Sequence, residues 1–234
     1  MIVKILGISG SPRRANTEIL VKAALSEAEN SGAEIEYVSL AGKIINPCKH
    51  CDLCPVDKSF CIQIDAMQEI YEKLLAADGI IIGSPVYVGS VTAQLKATMD
   101  RCRALDRKAS KENKAKPLRL KVGGAIAVAS GRHAGQEDVL HTIRTFFSHM
   151  DMIPVGITAP HTQLGATGIT HRKDGVRKDE WFHWNIGKMI NSIDMARMLG
   201  RKVFILTAIV KAGREITKLD FPRPYCLELS DTIV

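Results

Sequence analysis

A doubly wound α/β fold, with a parallel sheet carrying helices on both faces, is what this 234-residue sequence predicts. Three observations carry that expectation. Apolar runs such as Gly79-Ile-Ile-Ile-Gly83 and Val122-Gly-Gly-Ala-Ile-Ala-Val-Ala129 show no polar alternation, as strands buried on both faces do not. These runs alternate with longer amphipathic stretches, as crossover helices between parallel strands require. Finally, small and polar residues follow several of the runs, where loops at the carboxyl edge of such a sheet collect ligands.

In chain order, Ile2–Ile8 reads as strand, Thr17–Ser31 as helix and Glu34–Leu40 as strand. A cysteine-rich loop, 46–64, follows the second strand. Asp65–Ala77 then reads as helix, Gly79–Gly83 as strand and Ser90–Leu105 as helix. Val122–Ala129 is the fourth strand, Gln136–Met150 a helix and Ile153–Ile157 the fifth strand. Five such strands suit a sheet of the flavodoxin type, order 2-1-3-4-5, whose ligand lies at the switch point between strands 1 and 3. Residues 1–157 form the ligand-binding domain on this reading. Residues 158–234 form a polar loop, Thr158–Asp179, and a helical extension from Trp181 to about Lys211, packed on the same domain or on a neighbouring subunit. No internal repeat or low-complexity tract interrupts the pattern.

Cys48-Lys-His-Cys51-Asp-Leu-Cys54, with Cys61 six residues further on, places four thiols in a compact C-x2-C-x2-C-x6-C loop. Thiolates so spaced can reach the corners of a [4Fe–4S] cluster. Structural zinc sites more often divide into two pairs across a long spacer. His50 lies inside the loop, but four cysteines already complete a ligand set. Cys102 and Cys226 stand alone and read as idle thiols.

The turn after the first strand, Ser9-Gly-Ser-Pro-Arg13-Arg-Ala-Asn16-Thr17, opens a helix with hydroxyls, glycine and arginine. Free N–H groups at a helix start, with hydroxyl and guanidinium donors, suit a phosphate dianion. An ordinary turn with Asn16 or Thr17 as cap is the alternative. It matches neither G-x-G-x-x-G nor a Walker loop, which disfavours dinucleotide or nucleoside triphosphate binding by those devices. After the third strand, Pro85-Val-Tyr87-Val-Gly89 can lie along a flat ring; a core tyrosine with a helix cap at Ser90 is the alternative. Ser130-Gly131-Arg132 follows the fourth strand. Together the three loops describe a mononucleotide site, with FMN the natural occupant.

The hydrophobic fraction of 46% supports a full core, and no segment approaches the ~20 apolar residues that span a bilayer. Without a signal-peptide pattern at its start, the chain reads as cytoplasmic, where clustered thiols bind metal rather than form disulfides. The net charge of +7 arises largely from Arg101–Lys121 and His171–Lys178, read as exposed loops. Nucleic-acid binding is disfavoured, because no aromatic-rich basic strand, zinc finger or helix-turn-helix accompanies that charge.

Three segments carry a family resemblance: Ser9-Gly-Ser-Pro-Arg13 with Asn16-Thr17, Gly83-Ser-Pro-Val-Tyr87-Val-Gly-Ser90 continuing to Lys96 with Met99-Asp-Arg101, and Gly131-Arg-His-Ala-Gly135-Gln-Glu137. They resemble NAD(P)H-dependent FMN reductases of the flavodoxin superfamily. The cysteine loop narrows the resemblance to the iron–sulfur flavoproteins, over about residues 1–157. The resemblance implies FMN, one [4Fe–4S] cluster, a homodimer or homotetramer, and electrons from ferredoxin, with NAD(P)H as another donor. It implies that Ser9, Ser11, Arg13, Asn16 and Thr17 hold the phosphate, with Gly10 and Pro12 in the same loop. Pro85, Val86, Tyr87, Val88, Gly89, Ser130, Gly131 and Arg132 then line the flavin. Cys48, Cys51, Cys54 and Cys61 bind the cluster. An NAD(P)H-dependent FMN or quinone reductase whose cysteine loop is non-essential or filled by zinc is the alternative enzyme. A zinc-stabilised binding module is the rival from another class.

Overall fold

Ile80, Ile81 and Ile82 are all buried, yet Ile80 and Ile82 face one hydrophobic cluster and Ile81 the other. That period-two alternation inside an unbroken apolar run is the signature of a strand covered on both sides. The computed structural model describes residues 1–54, 60–112, 114–131, 133–157, 164–171, 175–176, 181–182, 189–190 and 192–218.

The central sheet takes β1 (Val3–Ser9), β2 (Ala33–Ser39), β3 (Gly79–Pro85) and β4 (Val122–Ala129) in the parallel order β2-β1-β3-β4. The fifth position is filled in two steps. β5 (Ile153–Val155) pairs with Val122–Gly124, and β6 (Ala166–His171) continues along Ile126–Ala129. The order 2-1-3-4-5 therefore holds, with its last strand interrupted. The expectation of one polar loop over Thr158–Asp179 is corrected by β6, whose Ala166 and Ile169 are buried. Residues 158–163, 172–174 and 177–179 of that loop lie outside the described residues. At the edge, β7 (Gly175–Val176) pairs antiparallel with β6.

Helices α1 (Asn16–Asn30) and α6 (Ser192–Thr217) cover one face through Leu20, Val21, Leu25, Met195, Leu199 and Val203. They touch at Gly200, where an added Cβ would fall 1.9 Å from the Ala24 carbonyl oxygen, so only glycine permits the contact. The other face carries α2 (Met67–Ala76), α3 (Ala93–Arg101), α4 (Arg103–Lys111) and α5 (Gln136–His149). Residues 164–171 and 192–218 thus pack on the same sheet as the first 157. Among the described residues no helix is long and apolar enough to cross a membrane.

Two further expectations need correction. The helix read from Trp181 begins only at Ser192; before it, β8 (Trp181–Phe182) and β9 (Met189–Ile190) pair antiparallel, in keeping with the strand preference of Trp, Phe and Ile. The helix read as Ser90–Leu105 starts instead at Ala93 and is interrupted at Cys102. There the Cys102 N–H is shared between the Thr98 and Met99 carbonyls, a tightened turn between α3 and α4. Arg101 is therefore no exposed loop residue: its side chain is 1% accessible.

Candidate flavin and iron–sulfur sites

The loops after β1, β3 and β4 meet at the carboxyl edge of the sheet, tied by hydrogen bonds from backbone and side chain. The Gly10 N–H donates to the Gly83 carbonyl at 2.7 Å, and Thr92 Oγ1 donates to the Gly10 carbonyl at 2.6 Å. A Cβ on Gly10 would lie 2.8 Å from Leu95 Cδ2, so this close approach needs glycine. The Val86 N–H donates to Val128 at 2.8 Å, and Gly135, at φ 93, packs against Val86 and Gly89. Gln136 closes the third loop, donating to the Gly131 carbonyl at 2.6 Å and accepting from the Ala134 N–H at 2.8 Å.

The first loop has the character of an anion cradle. No side chain caps the start of α1, so its leading N–H groups keep the positive end of the helix dipole open. Asn16 and Thr17 begin the helix without capping it. Ser9 is fully buried; its Oγ lies near the Tyr37 hydroxyl, and neither has a well-formed hydrogen bond among the described residues. Ser11 is buried, its Oγ accepting from the Arg13 N–H at 3.1 Å. Pro12 and Arg13 are exposed, and Asn16 is half-buried. An orphaned buried hydroxyl beside an uncapped helix start fits a phosphate group, whose oxygens would satisfy both.

The second loop presents an apolar edge. Tyr87 and Ser90 exchange backbone hydrogen bonds around a two-residue turn, with Val88 at φ 50 and Gly89 at φ 76. Left-handed backbone suits Gly89 but strains a β-branched valine, by roughly 1–3 kcal/mol. Val88 is nonetheless fully exposed, and Tyr87 is exposed beside it. Strain spent on displaying an apolar side chain marks this turn as a surface built to meet a ligand. Thr92, not Ser90, caps α3, its Oγ1 accepting from the Leu95 N–H at 3.2 Å. Pro85 and Val86 are half-buried, Ser130 is exposed, and Gly131 meets no neighbour within 4 Å of an added Cβ. Arg132 lies outside the described residues.

Cys48, Cys51, Cys54 and Cys61 line a single cavity and are all free thiols. Cys48 and Cys51 are exposed, and Cys54 and Cys61 half-buried. Burial raises the Cys54 pKa, and the thiol groups of Cys61, Cys48 and Cys51 raise it further, so the four sit within electrostatic reach. Four thiols around one cavity fit a polynuclear cluster. Among the described residues, no three His, Cys, Asp or Glu side chains form a single-ion site. Residues 55–59 of this loop, and Cys226, lie outside the described residues.

The cysteine loop is fastened at both ends by Arg101. Its guanidinium donates to the Asn46 carbonyl (3.0 Å), the Gln63 carbonyl (3.2 Å) and Asp65 Oδ2 (2.7 Å). Burial would raise the Asp65 pKa, but Arg101 and the N–H groups of Asn46 and Met67 outweigh it and hold the carboxyl below its usual value. Tyr71 donates from its hydroxyl to the Arg101 carbonyl at 2.8 Å. Sequence reasoning missed Arg101, Asp65, Thr92 and Gln136. Of these Thr92, three residues before Leu95, carried a local capping signal, and Gln136 acts within its own loop; Arg101 and Asp65 meet across a long sequence separation.

A cavity of about 620 Å³ at the opposite edge of the sheet is lined by Lys121, Lys211 and Arg214. Its Lys121 ammonium is spent on the Leu74, Leu75 and Ala77 carbonyls at the end of α2, which is a helix-terminus contact.

The family model described as NADPH-dependent FMN reductase matches residues 3–163. An iron–sulfur flavoprotein of Methanocaldococcus jannaschii is 49% identical over 180 residues, covering 76% of this chain and 88% of the relative. A second from that organism is 41% identical over 210 residues, covering 89% and 100%. Among solved structures, RosB with a bound riboflavin-phosphate intermediate superposes with a TM-score of 0.64 at 17% identity, covering 99% of this chain and 94% of RosB. The WrbA-like flavodoxin of Agrobacterium tumefaciens gives a TM-score of 0.54 at 14% identity, covering 89% and 99%. These last two bear on the fold.

Proposed function

Because the chain belongs to the NADPH-dependent FMN reductase family, and within it to the iron–sulfur flavoproteins, we propose that it is an electron-transfer oxidoreductase. On this reading it relays electrons between a [4Fe–4S] cluster on Cys48, Cys51, Cys54 and Cys61, an FMN at the carboxyl edge of the sheet, and an external acceptor. The supporting observation is that two sites of different chemistry share one helix: the flavin loops meet its start at Thr92, and the cysteine cavity adjoins its end at Arg101. When bound, the cluster supplies one-electron transfer and the flavin joins one- and two-electron chemistry.

The chain's own residues position and shield. Ser9, Ser11 and the leading N–H groups of α1 would hold the phosphate, while the exposed Arg13 would supply a positive charge. Pro85–Gly89 would line one side of the ring, and Gly131 leaves room for close approach. Arg13→Ala removes a charge-assisted contact of about 1.5–3 kcal/mol. The FMN dissociation constant of the variant should rise about tenfold or more. An unchanged constant in fluorescence titration would remove Arg13 from the site.

Along α3, its nine residues separate the two sites by about 13 Å at a rise of 1.5 Å per residue. A second subunit could bring its cysteine loop closer to this flavin edge, which favours a homodimer or homotetramer. Light scattering should give a mass at least twice that of the chain at micromolar concentration; a monomer would count against this arrangement.

Ferredoxin is the donor we favour. The chain carries a net charge of +7, and complementary charge accelerates encounter with acidic carriers. Anaerobic stopped-flow should show faster flavin bleaching by reduced ferredoxin than by NADPH, slowing as ionic strength rises. Faster bleaching by NADPH that survives loss of the cluster would assign the protein to NAD(P)H-dependent FMN or quinone reduction.

A further inference from the structure

Arg103, Arg107 and Lys111 recur every four residues along α4 and so share one face of it. That face lies on the cysteine loop. Arg103 Nη2 is 2.8 Å and Arg107 Nη2 2.9 Å from the same oxygen of Asp52, while Lys111 Nζ donates to the Cys54 carbonyl at 2.6 Å. Asp52 sits between Cys51 and Cys54, in left-handed backbone at φ 53. Arg103 also lies within electrostatic reach of Cys48 and Cys54. Every one of these contacts joins the cysteine loop to the side chains of α4.

Resting on the reading of this loop as a cluster site, we propose that Arg103 and Arg107, joined through Asp52, are positioning residues that hold the cysteine loop in its binding shape and set the reduction potential of the cluster. Cluster potential follows net charge and exposure. Gaining one electron makes the cluster more negative by one unit, and nearby positive charge favours that state. Two guanidiniums and one carboxylate carry a net charge of +1. Arg107→Gln leaves them neutral and makes reduction harder. Asp52→Asn leaves them at +2 and makes reduction easier. Arg107→Gln cuts one of the two ion pairs to Asp52 and Asp52→Asn cuts both, so a clamp that mattered only for shape would move the potential the same way in both, further in Asp52→Asn.

The test is an anaerobic redox titration, followed optically and by electron paramagnetic resonance, on the full-length, cluster-reconstituted protein. Arg107→Gln should titrate below wild type, Asp52→Asn above it, and Arg107→Lys close to it, with the differences shrinking as salt is raised. Shifts of equal sign, or none, would overturn the electrostatic role. In iron-free protein, hydrogen exchange of the amides in residues 48–54 should be faster in both Arg107→Gln and Asp52→Asn than in wild type. Unchanged exchange would overturn the holding role, independently of any cluster. Wild-type protein that takes up no iron would defeat the cluster reading and the potential with it, leaving the exchange result to judge the clamp.

Discussion

Cys54→Ala protein prepared anaerobically will lose most of its iron and sulfide and keep its flavin. Cys54 is the half-buried thiol whose neighbours Cys61, Cys48 and Cys51 all act on it, so its removal opens the centre of the ligand set. The flavin loops are held by bonds that do not involve the cysteine loop: Gly10 to Gly83, Thr92 to Gly10 and Val86 to Val128. Iron and sulfide analysis beside the flavin absorbance measures both halves. Cys102→Ser serves as control. Cys102 is 1% accessible at the α3–α4 junction, and burial raises its pKa, so the iron content of that variant should match wild type. Stoichiometric zinc without iron in wild-type protein would refute the cluster assignment.

Arg101→Met will cost about 3–5 kcal/mol of folding stability in urea denaturation, because it strands a buried carboxylate without its cation. Asp65 and Arg101 are 3% and 1% accessible and 2.7 Å apart. The same substitution frees the Asn46 and Gln63 carbonyls at the two ends of the cysteine loop, so iron binding should weaken as well. Arg101→Met combined with Asp65→Leu should recover much of the stability, since apolar replacement of a buried pair is often near neutral, but should not restore the loop. The pH dependence has a definite sign. The Asp65 pKa is lowered on folding, so the stabilisation is complete above the unfolded carboxylate value of roughly 3.9 and is lost as pH falls through the folded one. Equal stability of Arg101→Met and wild type at neutral pH would show that the pair contributes nothing.

Local chemistry made much of this molecule legible in its sequence. Short unbroken apolar runs such as Gly79–Gly83, flanked by glycine and alternating with longer helical stretches, read as strands buried on both faces in parallel order. The Ser9–Thr17 loop and the cysteine spacing stood out as candidate sites for a similar reason: each gathers its groups from residues close together in the chain. Other features depend on meetings between distant segments. β6 completes the fifth strand only because Ile126–Ala129 offers it an open edge, and Ala166–His171 by itself reads as polar loop. Arg101 looked like one more surface cation in a basic stretch, yet the fold seats it against Asp65, 36 residues away. Asp52 meets its two arginines from 51 and 55 residues away. Hydrophobic period and ligand spacing are properties of neighbouring residues, so the sequence alone determined the architecture and the kind of chemistry. The partners of buried and loop charges are set by how helices dock, and only the tertiary structure decided which cations hold the cysteine loop in place.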